Sequence, residues 1–253
     1  MFETQGLMEF KSYVINLEHA SARWHHMRKQ LEAIDLPYER IEGVYGNRLS
    51  DDVEGYHESR YHLLTGKETN KREIGCYFSH IKALKTFLDS QYDYALILED
   101  DATLPKDIKS ILTSAIPHGE NWDMLRLTSS REGGFLPFTQ IYNHYQLAYN
   151  LKVLKNTAAY FVNRHAAMCC VEKMLPMCLP YDVALDRDWD FGFKTACIIP
   201  FPVKLEEDFP GQIPKAGRIP FYRATTFHLF HFMTRLQRQY YRKRYFRKAM
   251  KRS

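Results

Sequence analysis

The sequence has no apolar run long enough to cross a membrane. A membrane-spanning helix needs roughly 18 or more apolar residues in succession, and no segment of the 253 residues reaches that length. The first five residues, MFETQ, also lack the basic and apolar regions of a secretory signal. We therefore expect a cytoplasmic protein that is bound to a membrane at most peripherally.

Paired cysteines are also missing. The five cysteines stand at positions 76, 169, 170, 178 and 197, and no two are separated by the two residues that are common between zinc ligands. An odd number with one adjacent pair favours reduced thiols that pack as small apolar groups. No paired Cys/His ligand spacing is recognised either, so we expect no zinc site.

Acidic residues are absent from one stretch, residues 235–253, which holds nine Lys or Arg. The net charge of the whole chain is +5, so the remainder is slightly acidic and the basicity is local. Interleaved aromatic residues (Tyr240, Tyr241, Tyr245 and Phe246) favour a helix on an anionic membrane surface. A nucleic-acid-binding tail and a solvated tail are the alternatives, and we expect no nucleic acid.

The most informative segment that is present is 94–102 (YALILEDDA). Five apolar residues predict a strand buried on both faces, and Glu99, Asp100 and Asp101 follow directly. Ligands of open α/β sheets bind beyond the carboxyl ends of such strands. Oxygen ligands suit Mg²⁺ or Mn²⁺. A solvated acidic turn explains the same three residues equally well on this evidence alone.

Hydrophobic periodicity predicts an α/β fold. A strand at 11–17, a helix at 19–34 and a strand at 38–44 form a β-α-β unit with parallel strands. An amphipathic helix at 74–88 then leads to the strand that begins at Tyr94. Further strands are predicted at 122–128 and 157–163, whereas 131–150 and 204–226 are interpreted as irregular. We expect a domain over 1–225 and a basic aromatic membrane-surface helix over 226–253.

Five segments together resemble glycosyltransferase family 25, the bacterial lipopolysaccharide and lipooligosaccharide sugar transferases. They are 13–17 (YVINL, followed by Arg23), 73–80 (EIGCYFSH), 96–102 (LILEDDA), 159–162 (AYFV) and 180–182 (PYD). The resemblance covers roughly residues 10–190, and the order and spacing of the segments carry more weight than any one of them.

The resemblance implies a GT-A-like fold with a mixed, mainly parallel sheet. It also implies inverting transfer of a hexose, often galactose, from a UDP-sugar to a lipooligosaccharide or other saccharide acceptor. Asp101, with Glu99, is then expected to bind Mn²⁺ or Mg²⁺ on the diphosphate. The expected donor-binding residues are Asn16, Arg23, Ser79, His80, Glu99, Asp100 and Arg126.

An inverting transferase also needs a carboxylate base opposite the leaving group. Asp182, in the Pro-x-Asp segment, and Asp188, which precedes Trp189, are the two candidates. His228 and His231 could reach the metal from the C-terminal side, although helix packing is the simpler interpretation. The alternative function is a non-catalytic protein that binds a nucleotide sugar, a membrane or a nucleic acid.

Overall fold

A computed structural model describes residues 9–130, 133–206 and 221–251 of the chain, the side chains of 221–223 excepted. Parts of two segments interpreted as irregular, 131–132 and 207–220, lie outside the described residues, as do the last two residues of the basic tail.

The described residues form ten strands and eight α-helices that alternate along most of the chain. The strands are β1 (Phe10–Asn16), β2 (Tyr38–Glu42), β3 (Tyr94–Glu99), β4 (Ala102–Thr103), β5 (Met124–Arg126), β6 (Phe135–Tyr142), β7 (Tyr145–Asn150), β8 (Ala159–Asn163), β9 (Thr195–Ile199) and β10 (Lys204–Leu205). The helices are α1 (Ser21–Ala33), α2 (Glu58–Thr65), α3 (Lys71–Leu88), α4 (Ile108–Ala115), α5 (Arg164–Lys173), α6 (Tyr181–Leu185), α7 (Asp188–Phe191) and α8 (Phe221–Ala249).

Eight of these strands form one mixed sheet in the order β2-β1-β3-β8-β5-β9-β7-β6. The pairs β2–β1, β1–β3 and β5–β9 are parallel. The other four neighbouring pairs are antiparallel. The expected mixed α/β sheet and its N-terminal β-α-β unit are confirmed. The expectation of a mainly parallel sheet is wrong, because β8 and the β6–β7 hairpin run against their neighbours.

Helices cover both faces of this sheet, and strand β3 shows why. Leu96 and Leu98 point into the core on the side of α1 and α4, whereas Ala95 and Ile97 point into the core on the side of α3 and α5. Successive side chains of a strand face opposite ways, so a strand between two helical layers is apolar throughout. This explains why the apolar run of β3 is continuous. The first polar side chain of the strand is that of Glu99, at its carboxyl end.

The aromatic segment 131–150 is mostly ordered structure rather than an irregular region. Residues 135–150 form the β6–β7 hairpin, whose turn has Asn143 with a φ of +49°. Register shifts between Pro137 and Thr139 and between Gln140 and Tyr142 break the alternation of side chains. A bulge moves the following residues to the other face of the strand, so the period-two pattern that identifies strands is lost in the sequence.

Helix α8 begins before the predicted tail and packs on the domain. Its buried side chains are Thr234, Arg238, Arg242 and Ala249, which share one helical face. Trp189 stacks on Tyr241 with ring centroids 5.4 Å apart. No helix in the described ranges has both the length and the apolar character to cross a membrane. The proposed role of α8 at a membrane surface stays a prediction.

Candidate functional site

Strand register brings the predicted polar residues to one edge of the sheet. Strands β1 and β3 are parallel with Ile15 opposite Glu99, so Asn16 lies beside Asp100 where both strands end. Strand β8 runs the other way, and the backbone N–H of Glu99 donates to the carbonyl of Ala158 at 2.8 Å. Three chain segments that are distant in sequence therefore meet at Glu99–Asp101, the acidic motif.

Helix α3 completes the site through an unusually close approach to the loop after β2. A Cβ atom on Gly75 would lie 2.5 Å from the carbonyl oxygen of Val44, a distance at which the loop would have to move. One turn later, the Ser79 hydroxyl accepts from the Val44 N–H at 2.8 Å and donates to the Gly75 carbonyl at 2.7 Å. In the Gly-x-x-x-Ser-His segment, Gly and Ser thus hold the loop, and His80 is presented to the acidic motif.

These elements enclose a cleft of about 510 Å³. Its lining residues are Ile15, Leu17, His19, Arg23, Val44, Tyr45, Gly46, Arg72, Cys76, Ser79, His80, Glu99, Asp100 and Asp101. Six of the predicted site residues are among them, and Asn16 contacts one of the six directly. A pocket of this size with convergent polar groups is typical of small-molecule sites.

Asp100 is held by protein partners on both carboxylate oxygens. Asn16 Nδ2 donates to Oδ2 at 2.6 Å, and Arg23 Nη1 donates to Oδ1 at 2.9 Å. The Oδ1 atom of Asn16 in turn accepts from Arg40 Nη2 at 2.6 Å. Burial raises the pKa of Asp100 above its ordinary value, although Asn16 and Arg23 oppose the shift. Asp100 and Asn16 therefore stabilise the end of the strand, and their predicted contact with a donor stays a prediction.

Asp101 differs from Asp100 because one of its oxygens has no partner. Its Oδ1 atom is buried and makes no hydrogen bond within the described part of the chain. Burial and the charges of Glu99 and Asp100 raise the pKa of Asp101 to about 7, against 3.8 for an ordinary Asp. A buried carboxylate with an unused oxygen and two acidic neighbours is the arrangement that a bound cation would stabilise.

Glu99 accepts at Oε1 from two groups. His80 Nε2 lies 3.3 Å away, and Thr157 Oγ1 donates over the same distance. Burial opposes ionisation of Glu99, but its contacts with His80 and Thr157 and the charge of Arg23 outweigh burial and lower its pKa. The ionised form of Glu99 is therefore favoured, whereas the pKa of Asp101 is raised to about 7.

The raised pKa of Asp101 predicts how the stability of the metal-free protein depends on pH. The folded state binds the Asp101 proton more tightly than the unfolded chain does, so this residue's contribution to stability falls as pH rises from about 4 to about 7. Urea unfolding in a chelator should show a drop of up to a few kcal/mol across this window that is reduced in Asp101→Asn. Mn²⁺ should restore stability at the upper pH in the wild type only. An equal pH dependence in both proteins would contradict the assigned pKa.

Besides Asn16, three predicted site residues are not among those that line this cleft: Arg126, Asp182 and Asp188. Arg126 is completely buried on β5, and its Nη2 atom donates to the carbonyl of Asn156. Asp188 is also completely buried: Oδ2 accepts from the Thr195 N–H at 2.6 Å and from Arg242 Nη1 at 2.8 Å. Because these contacts hold Asp188 inside the protein, we interpret it as a structural residue. The geometry therefore favours Asp182 of the two candidate bases.

Asp182 lies at the start of α6, directly after Tyr181. The Tyr181 ring stacks on the His80 ring with centroids 4.2 Å apart, which places α6 against the wall of the cleft. Burial raises the pKa of Asp182, and the charge of Arg126 opposes that shift.

On α8, His231 packs against Phe227 with centroids 4.2 Å apart, and neither His228 nor His231 is among the residues that line the cleft.

The sequence interpretation missed three residues that surround His80. Cys76 lines the cleft one helical turn before His80, and the spacing of four residues on an amphipathic helix was a usable signal. Tyr160 and Tyr181 support His80 from behind: the Tyr160 hydroxyl lies 3.3 Å from His80 Nδ1 and 3.0 Å from the Tyr181 hydroxyl. Only the folded chain brings these two tyrosines together.

Two proteins of known activity share part of this sequence. Procollagen galactosyltransferase 1-B of Xenopus laevis is 25% identical over 132 residues, which is 47% of this chain and 21% of that protein. Procollagen galactosyltransferase 1-A of the same organism is 24% identical over 131 residues, with the same two coverages. The chain thus spans about a fifth of the length of these relatives.

A solved structure is similar at a lower level. It is described as the crystal structure of a glycosyltransferase involved in the glycosylation of the major capsid of PBCV-1. It is 13% identical with a TM-score of 0.33, and the match covers 63% of this chain and 62% of that one. A likeness this weak adds nothing to the argument from the site.

The family comparison covers the N-terminal 70% of the chain. The model described as glycosyltransferase family 25 (LPS biosynthesis protein) matches residues 9–185. That range contains the acidic motif, the Gly-x-x-x-Ser-His helix and Asp182, and it ends where α6 ends. Because the match extends over well more than half of the sequence, the chain belongs to glycosyltransferase family 25.

Proposed function

We propose that this chain transfers a hexose from a UDP-sugar to a lipooligosaccharide or other saccharide acceptor, with inversion at the anomeric carbon. Galactose is the expected sugar, since the two named relatives are galactosyltransferases. The observation that carries the proposal is the cleft at the carboxyl end of β3, where Asp101 has an unused oxygen and Arg23 lies beside Asp100 and Asp101.

The residues at this position fit a hard divalent cation. Asp101 and Glu99 supply carboxylate oxygens, the ligand type that Mn²⁺ and Mg²⁺ prefer. The unpartnered Asp101 Oδ1 is the atom best placed for the role. When bound, such a cation neutralises charge that develops on a leaving diphosphate. The Arg23 guanidinium, 3.8 Å from Asp101 Oδ2, adds a fixed positive charge at the same place.

Asp182 is proposed as the base that accepts the proton of the acceptor hydroxyl. A base works best when its pKa is near the operating pH, and burial moves the pKa of Asp182 upward in that direction. Its Oδ1 atom accepts from the Val183 N–H at 2.8 Å, which fixes the side chain at the start of α6. Tyr181, the residue before it, stacks on His80, and His80 Nε2 lies 3.3 Å from Glu99 Oε1, so the proposed base is linked to the acidic motif through these two side chains.

A donor screen tests the proposed reaction. The purified chain would be incubated with Mn²⁺ and, separately, UDP-galactose, UDP-glucose, UDP-N-acetylglucosamine and UDP-glucuronate, and UDP release would be measured with and without saccharide acceptors. We expect the fastest release from UDP-galactose, a further increase with a suitable acceptor and an inverted product. Absence of release from every donor would contradict the proposal and leave the non-catalytic alternative.

Helix α8 is proposed to dock on an anionic membrane surface, where a lipid-linked acceptor would be found. The face opposite its buried residues exposes Leu229, Phe232, Met233, Leu236 and Tyr240. The same face continues through Lys243, Arg244, Arg247 and Lys251, which are exposed. From Leu229 to Lys251 this apolar and then basic face is about 33 Å long. Arg238 and Arg242 are buried against the domain and do not contribute to it.

Vesicle flotation would test this docking face. We expect the protein to float with vesicles that contain phosphatidylglycerol and not with neutral vesicles, because each exposed cation near an anionic surface contributes about 1 kcal/mol. Lys243→Glu with Arg247→Glu, and separately Leu236→Asp, should each weaken flotation at least about tenfold.

Met168→Asp is the matched control, because Met168 is an exposed apolar residue on α5. Equal loss in this control, or unchanged flotation of the α8 variants, would contradict the docking face. Binding of RNA with the same dependence on Lys243 and Arg247 would instead support the nucleic-acid alternative.

A further inference from the structure

Cys76, His80 and Glu99 form a cluster of three different ligand types on one wall of the cleft. Cys76 and His80 lie four residues apart on α3, and Glu99 is the last residue of β3. One ligand atom from each side chain lies within 4.8 Å of the other two. His80 Nε2 and Glu99 Oε1 are only 3.3 Å apart.

These distances are near those of a tetrahedral metal site. Metal–ligand bonds of about 2.0–2.3 Å place the ligand atoms roughly 3.3–3.8 Å apart. The His80–Glu99 distance is already in that range, and Cys76 needs a side-chain adjustment of about an ångström. A thiolate, an imidazole and a carboxylate form a borderline-soft ligand set, which favours zinc over Mn²⁺ and Mg²⁺.

The surroundings of His80 supply the outer support that metal-binding histidines use. The Tyr160 hydroxyl lies 3.3 Å from Nδ1, and the stacked Tyr181 ring fixes the plane of the imidazole. Nε2 therefore faces Glu99. The Thr157 hydroxyl donates to the same Oε1 atom of Glu99 at 3.3 Å. Hydrogen bonds of this kind orient metal ligands and fix the tautomer of the histidine.

We propose that Cys76, His80 and Glu99 form a binding site for a thiophilic divalent cation, with Zn²⁺ as the expected ion. The site offers three protein ligands, and its fourth position opens into the cleft. As the metal–sulfur bond forms, the Cys76 thiol loses its proton to solvent and sulfur binds as the thiolate. The site is distinct from the Asp101 position, although Glu99 belongs to both.

If the chain uses Mn²⁺ as proposed above, zinc bound at this site would interfere with it through Glu99. A zinc ion held by Cys76 and His80 would take Glu99 from the Mn²⁺ or Mg²⁺ site and place a second positive charge in the cleft. Zinc should therefore compete with Mn²⁺ in any Mn²⁺-dependent UDP release. Zinc binding itself requires no sugar transfer, so an experiment can contradict the zinc site without contradicting the proposed transferase activity, and the reverse.

Cobalt titration of the metal-free full-length chain tests the site, because Co²⁺ takes zinc positions and absorbs visible light. We expect one Co²⁺ per chain with a near-ultraviolet thiolate-to-cobalt band, and displacement by Zn²⁺. Cys76→Ser should abolish that band and weaken zinc affinity on the order of 100-fold or more. Tyr160→Phe, which removes only the outer partner of His80, should weaken it roughly tenfold.

Cys178→Ser is the matched control, since Cys178 is a partly exposed thiol that does not line this cleft. A second measurement needs no variant: Zn²⁺ should protect Cys76, and not Cys178, from alkylation of the native wild-type protein. A cobalt spectrum without a thiolate band, a band that persists in Cys76→Ser, or equal alkylation of Cys76 with and without Zn²⁺ would overturn the proposal.

Discussion

Asp101→Asn is expected to lower Mn²⁺-dependent release of UDP from the preferred donor on the order of 1,000-fold. A metal on the diphosphate contributes several kcal/mol of charge stabilisation, and each 1.4 kcal/mol or so corresponds to a factor of ten in rate. Asn keeps the shape of Asp101 but removes the charged oxygen that lacks a protein partner. The measurement is steady-state UDP release with Mn²⁺, repeated in a chelator.

Two variants separate this expectation from general damage to the protein. Asp51→Asn changes a fully exposed carboxylate whose partner is Lys71 and which lies outside the cleft, so UDP release should stay at the wild-type level. Asp182→Asn should lose transfer but retain Mn²⁺-dependent donor binding, because Asp182 is proposed to act on the acceptor. An Asp101→Asn protein with wild-type rates would remove the metal-centred mechanism.

Arg242→Met is expected to destabilise the folded protein by about 3–5 kcal/mol. Arg242 and Asp188 are both completely buried and pair at 2.8 Å, and removal of one partner leaves an uncompensated charge in the interior. The loss would be measured as the free energy of unfolding in urea. Lys243→Met, at the next and exposed position, should change that free energy by less than about 0.5 kcal/mol.

The double variant Arg242→Met with Asp188→Leu isolates the charge effect. Replacement of a whole buried ion pair by apolar residues is often close to neutral, so the second substitution should recover most of the lost stability. This recovery is expected because Asp188 Oδ1 and two nitrogens of Arg242 have no hydrogen-bond partner in the described ranges. An unchanged free energy of unfolding in Arg242→Met alone would show that the Arg242–Asp188 pair does not hold α8 on the domain.

The local pattern of the sequence predicted the parts of the site that depend on one strand or one helix. The apolar run of β3 predicts where Glu99, Asp100 and Asp101 stand, and the amphipathic period of α3 predicts the helix that carries His80. The burial of His80 is seen only in the structure. The β-α-β spacing also predicts the parallel pairing of β1 with β2, whereas the β1–β3 pairing that puts Asn16 beside Asp100 is seen only in the structure. These inferences need only the periods of strands and helices.

Contacts between distant segments could not be inferred in this way. Asp188 and Arg242 are 54 residues apart, and no local sequence pattern around either residue indicates that they pair. The sequence therefore predicts only a membrane-surface helix for the basic tail, whereas Arg238 Nη2 pairs with Asp186 Oδ2 at 3.2 Å inside the domain. The different roles of Asp100 and Asp101 could not be inferred either, because they depend on which carboxylate oxygens accept hydrogen bonds from Asn16 and Arg23.

Calorimetric binding of UDP, with and without Mn²⁺, tests the central claim most directly, because it measures the diphosphate site without acceptor or turnover. The account predicts that Mn²⁺ strengthens UDP binding to the wild-type protein and that Asp101→Asn abolishes this gain. It also predicts that Asp182→Asn keeps the gain. UDP affinity that is the same with and without Mn²⁺, or a gain that survives in Asp101→Asn, would contradict a metal-held diphosphate at the end of β3.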